Sequence, residues 1–129
     1  MKTLVILIAA PFFLMAFTPG NNHHPVNTNV TLTKDAKKIC EYYRQRVLKG
    51  ESMASIATLY SEDPGSAPNG GQYKDVVKGM MVTEFENVAF KLKPGEISEV
   101  FETQYGFHFI QLISRKGDVL DLRHVLIMK

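Results

Sequence analysis

The stretch Asp121–Lys129, D-L-R-H-V-L-I-M-K, decides how this chain is read. Bulky residues alternate around His124 and run into the unbroken apolar segment Val125-Leu126-Ile127-Met128. That pattern predicts a strand buried on both faces, with neighbours on either side. Just before it, Arg115-Lys116-Gly117-Asp118 reads as a hairpin turn, a three-residue loop with Gly117 in the left-handed position. The partner strand is then Phe107–Ser114, FHFIQLIS. A register setting His108 directly opposite His124 puts both histidines on one face.

Further back, Gln104-Tyr105-Gly106 turns the chain out of another strand, Val100–Thr103. Lys93-Pro94-Gly95-Glu96 fits a type II turn, with glycine where φ must be positive. VTEFENVAFKL reads as a helix with Thr83 and Glu86 in capping-box spacing. Its apolar face is Phe85, Val88, Ala89 and Leu92. A short strand is expected over residues 72–77, preceded by the turn-rich segment Ser61–Gly71, SEDPGSAPNGG, long enough in so small a domain to imply a task. Two helices come first. Thr33–Leu48 carries Ala36, Ile39, Cys40, Tyr43 and Val47 on one stripe, with Thr33 as N-cap and Gly50 past its end. Residues 52–60 carry Met53, Ile56, Ala57 and Tyr60. Helices followed by strands in this order predict an α+β domain on an antiparallel sheet, spanning residues 33–129.

The N-terminus has a separate character. Met1-Lys2 followed by TLVILIAAPFFLMAF has the positive start and short apolar core of a secretory signal, residues 1–20, with a retained anchor as the alternative. Residues 21–32 form a polar, punctuated lead-in; His23 and His24 lack the nearby partners a metal site needs. The 129 residues leave roughly 100 for folding, enough for one small core. A single cysteine excludes an internal disulfide, and Cys40 reads as a core residue. A net charge of only +2, without a basic stripe interleaved with aromatics, argues against nucleic acid.

Three segments, in order, carry a resemblance: YSEDPGSAPNGG (residues 60–71), FENVAFKLKPGEIS (residues 85–98), and VFET with YGFHFI (residues 100–110). Together they resemble a parvulin-type peptidyl-prolyl isomerase domain of the exported bacterial kind. The resemblance implies a four-stranded antiparallel sheet of the FKBP-like superfold, surrounded by helices, with a shallow site for a proline ring. It implies that His108 and Thr103 belong to the catalytic group, with Asp63 where the family places a cysteine or aspartate. Met81 and Phe85 match the apolar residues that hold the ring. Without the resemblance, His108, Met81 and Phe85 would read as core and Asp63 as a turn residue. Two departures stand out. GGQYKDVV replaces the usual Asp-Leu-Gly, so Tyr73 stands where a leucine would line the pocket, and Tyr105 takes the place of a smaller residue.

A parvulin domain begins with a strand whose histidine reaches the site, and nothing before Thr33 resembles it. The match lies at the other end, in Arg123-His124-Val125-Leu126-Ile127. Circular permutation, with the first family strand supplied by residues 121–129, is the preferred reading; the rival is a remnant of a second domain, with a loose tail. Permutation adds His124 to the catalytic group.

Isomerisation breaks no bond and needs only a twist against about 18–20 kcal/mol. An apolar cradle and a few fixed polar groups suffice, so no metal or other cofactor is implied. The expected function is a prolyl isomerase acting on proline-containing unfolded or nascent exported polypeptides in the periplasm or cell envelope. A monomer without stable membrane insertion after signal cleavage is expected. The alternatives are a non-catalytic holdase using the same groove and a structural domain serving another envelope protein.

Overall fold

A computed structural model describes residues 35–129. The signal, lead-in, His23, His24 and the Thr33 cap lie outside them. The elements run α1 (Ala36–Leu48), α2 (Met53–Tyr60), a 3-10 turn (Ala67–Asn69), β1 (Gln72–Val76), α3 (Thr83–Ala89), β2 (Phe101–Thr103), β3 (Gly106–Lys116) and β4 (Val119–Met128). Helix α1 is capped by Asp35, which accepts from the Lys38 N–H at 3.1 Å. Ser52 caps α2 through the Ser55 N–H.

The strands form one antiparallel sheet in the order β1-β4-β3-β2. The last strand in sequence therefore lies in the middle, hydrogen-bonded on both edges, as its two-sided apolar pattern requires. It carries Arg123–Ile127, the segment that resembles the family's first strand. A loose tail is overturned by this pairing.

Two details of the hairpin differ from expectation. The loop between β3 and β4 has two residues, since Lys116 pairs with Val119. Gly117 has φ +58, left-handed as expected, but at the first central position, where a type II′ turn places glycine. Nor is His108 directly opposite His124: His108 pairs with Leu126 and Ile110 with His124. The register shifts between Leu112 and Ser114, where Ile113 is the extra residue of a bulge. Because the displacement is an even number of residues, both histidines keep the same face.

That face divides the core. On one side Phe109, Val125 and Ile127 pack under α1 and α2 with Cys40, Ile56 and Ala57. On the other, Ile110, Leu112, Leu120 and Leu122 pack under α3 with Phe85, Ala89 and Leu92. The two clusters bury both surfaces of the sheet, each large side chain removed from water contributing about 1.5–3 kcal/mol. His108 and His124 stand on the α3 side, where the apolar rows give way to a cleft. Cys40 is fully buried, and desolvation pushes its thiol up to about 12, as for an inert core residue.

The predicted capping box of α3 does not form. Val82 occupies the cap position and no side chain caps the helix. Glu86 reaches instead to the Gly79 N–H at 2.5 Å and the Met81 N–H at 3.3 Å. It closes the loop before the helix, and that loop carries Met80 and Met81. The turn over residues 93–96 is as expected: Gly95 has φ +85 and the Glu96 N–H donates to the Lys93 carbonyl at 2.9 Å.

Candidate active site

A cleft of about 370 Å3 opens between α3, the loop before it, the Ser61–Gly71 segment and the two central strands. Its apolar wall is Met81, Val82, Phe85 and Leu126, with Met80, Tyr105 and Met128 at exposed positions around it. Phe85 packs T-shaped against both imidazoles, at centroid distances of 5.8 Å to His108 and 5.4 Å to His124.

The polar wall is a chain of short contacts. Thr103 Oγ1 lies 2.7 Å from His108 Nε2. His108 Nδ1 lies 3.3 Å from His124 Nδ1. His124 Nε2 lies 2.7 Å from Asp63 Oδ2. One end sets the direction of the whole chain. An ionised carboxylate only accepts, so His124 Nε2 carries the proton. In a neutral ring His124 Nδ1 then accepts from His108 Nδ1–H, and His108 Nε2 accepts from the Thr103 hydroxyl. The threonine oxygen in turn accepts from the Tyr105 N–H at 3.2 Å, which fixes the β2–β3 turn against the site.

Electrostatics agree with that protonation pattern. The hydrogen bond from His124, reinforced by Tyr73, Ser66 and the Gly65 N–H, holds the Asp63 carboxyl well below the usual carboxylate range against the opposing effect of burial. His108 is only 4% exposed; desolvation first, and the neighbouring His124 second, lower its pKa to about 4. It is therefore neutral at physiological pH.

The fold explains how each group arrives. Segment Ser61–Gly71 is fastened to β4 by the Glu62 N–H to the Leu126 carbonyl at 2.7 Å and by the Leu126 N–H to Ser61 Oγ at 3.1 Å. At its far end Gly71, at φ +76, accepts from the His124 N–H at 2.9 Å. Asp63 is thus held over His124 from both sides.

All eight residues singled out from the sequence border this region. Asp63, Tyr73, Met81, Phe85, Tyr105, His108 and His124 line the cleft, and Thr103 stands behind His108. Two others went unnoticed. Ser66 is fully buried, with its hydroxyl 2.7 Å from Asp63 Oδ2 and 3.0 Å from His124 Nε2. In the sequence it is one serine in a turn-rich run, without a distinguishing signal. Phe101 stacks on the His108 ring at 5.3 Å. It pairs with His108 across the β2–β3 hairpin, so counting back from the Gln104-Tyr105 turn would have found it.

Paired imidazoles beneath an apolar cleft, on the central strands of a four-stranded sheet with this order, place the molecule among parvulin-type rotamase domains. Comparison with known proteins agrees: residues 14–114 match the family model described as Rotamase, the PPIC-type PPIase domain, and the chain belongs to that family. It is 42% identical over 96 residues to the foldase protein PrsA of a Geobacillus species, covering 74% of this chain and 34% of that protein. It is 42% identical over 75 residues to the chaperone SurA of Nitrosococcus oceani, covering 58% of this chain and 18% of that one. A crystal structure of the peptidylprolyl isomerase PrsA from Bacillus cereus superposes with a TM-score of 0.59 at 40% identity, covering 62% of this chain and 31% of that structure. The chain thus spans about a third, or less, of the length of these relatives.

Proposed function

We propose that this chain is a peptidyl-prolyl cis-trans isomerase domain acting on extended, proline-containing segments of exported polypeptides. The observation that carries the reading is the cleft itself, with an apolar wall of Met81, Phe85 and Leu126 facing a directed polar chain from Thr103 to Asp63. A proline ring seated on the apolar wall would hold one side of the amide. The other side could then turn against the barrier of about 18–20 kcal/mol with its carbonyl beside fixed dipoles. No proton moves overall, so the histidines act as oriented groups rather than as acid and base. The relatives named as foldase and chaperone support a role in protein folding.

Export rests on the N-terminal signal pattern; among the described residues no helix is long and apolar enough to cross a membrane. Circular permutation is supported by two facts together: the family match ends at residue 114, and β4, which follows it, fills the centre of the sheet.

The test is NMR exchange, or a protease-coupled assay, on a series of X-Pro peptides with the mature chain from about residue 21. Interconversion faster than the uncatalysed tens of seconds supports the enzyme. A folded protein that accelerates none of the series overturns it. The second reading, a holdase using the same groove, is favoured by Tyr73, which lines the cleft where the family has leucine. Suppression of client aggregation without isomerisation would single it out.

A further inference from the structure

We propose that Tyr73 is a positioning residue for the Asp63 carboxylate, and that Gly65 is glycine to make room for it. The proposal rests on the isomerase reading, and it moves Tyr73 from a substrate contact to a member of the polar chain.

The geometry separates the two oxygens of Asp63. Oδ2 is approached by three donors, each at 2.7 Å: His124 Nε2, the Ser66 hydroxyl and the Tyr73 hydroxyl. Among the described residues, Oδ1 accepts only the Gly65 N–H, at 3.0 Å. Three donors on one oxygen exceed its two lone pairs, so Oδ2 is saturated and the carboxylate cannot rotate without breaking the group. Tyr73 reaches this point because it pairs with Leu122 and so projects on the sheet face that bears His124; its ring lies 5.5 Å from that imidazole. Its phenol is pushed up to about 12 by burial and by Asp63, so it stays a donor.

Gly65 supplies the independent observation. Its φ lies outside the left-handed region, so the backbone there does not call for glycine. A Cβ at this position would stand 2.9 Å from the Tyr73 hydroxyl oxygen and 3.4 Å from Asp63 Oδ1. The constraint is space for the phenol. Gly65→Ala should push the hydroxyl away from Asp63 and act like its removal; Tyr73→Phe should relieve that clash.

The titratable groups around Asp63 are His124 on β4, His108 behind it on β3, Tyr73 on β1 and Glu62 in the same loop; α3 presents the uncharged Phe85. Carboxyl 13C NMR of the full chain follows the titration of Asp63 directly. Tyr73→Phe should raise its midpoint by roughly one pH value, as expected for one lost charge-assisted bond. Gly65→Ala should raise it similarly, and the double variant no further. With an X-Pro peptide, Tyr73→Phe should lower kcat about three- to tenfold with KM within about twofold. An unchanged Asp63 titration in Tyr73→Phe, additive effects in the double variant, or a rise in KM alone would each overturn the proposal. If the unaltered protein isomerises no peptide, the functional reading fails, while the titration cycle still decides the role of Tyr73.

Discussion

The imidazoles of His108 and His124 stack at 5.5 Å with their Nδ1 atoms 3.3 Å apart, although the two residues are diagonal neighbours across the β3–β4 ladder. The offset slides one ring over the other and brings nitrogen to nitrogen, so that one ring must donate while the other accepts. Asp63 decides which. His108 stays neutral under this arrangement, because burial first and the neighbouring His124 second disfavour its charged form.

Stability should therefore fall in two stages as pH is lowered. The folded state holds the His108 pKa at about 4, against about 6.5 in an unfolded chain. Between these values the unfolded state binds the extra proton, so stability rises with pH through this window and is complete above it. The loss by pH 4 should reach about 3 kcal/mol at most. Asp63, whose folded pKa is depressed, contributes stability above its ordinary value near 4 that is lost at still lower pH. Urea unfolding between pH 4 and 7 checks this; a flat curve would refute it.

Deletion of residues 121–129 should abolish cooperative unfolding. It removes Val125 and Ile127 from one cluster, Leu122 from the other, and the buried Leu126 from the wall of the cleft. At about 1.5–3 kcal/mol for each side chain, the loss is about 6–12 kcal/mol, comparable to the whole stability of a typical domain, about 5–15 kcal/mol. A truncated chain that retained a native melting transition in calorimetry would show β4 to be dispensable.

Gly71→Ala should damage both fold and site, whereas Gly117→Ala should be mild. A Cβ on Gly71 would come within 2.3 Å of the His124 carbonyl oxygen, which cannot move without displacing β4. Around Gly117 there is open space, and only the left-handed backbone opposes alanine, at about 1–2 kcal/mol. Comparative thermal melts, with His124 ring signals by NMR, should show the first variant losing at least several degrees more than the second.

Phe85 needs a gentle substitution. The resemblance implies that it holds the proline ring, yet it is 4% exposed and packs in one cluster with Val76, Ala89 and Ile110. Phe85→Ala should cost about 3–5 kcal/mol and confound the test. Phe85→Leu should keep a cooperative transition while lowering kcat/KM on an X-Pro peptide about tenfold. Unchanged turnover in a folded Phe85→Leu variant would move the pocket elsewhere.

The sequence by itself determined the elements and the face on which the site stands. Alternating side-chain direction along Phe107–Ser114 and Asp121–Lys129 is a local property of any strand, and it survives a register error of two residues because that direction repeats every two. The apolar stripes of α1 and α2 and the turn at Gly95 were legible for the same reason: each depends on neighbours within a few positions. What the tertiary structure decided were contacts between segments far apart in sequence. The bulge at Ile113 and the two-residue turn at Gly117 set the true pairing. Glu86 left its helix cap for the loop bearing Met80 and Met81, because that loop folds back within its reach. Ser66 and Tyr73 converge on one oxygen of Asp63 only after β1 has paired with β4. Spacing along a chain carries no record of that convergence, since the distance between two side chains on different strands depends on register and twist, which the whole sheet settles together.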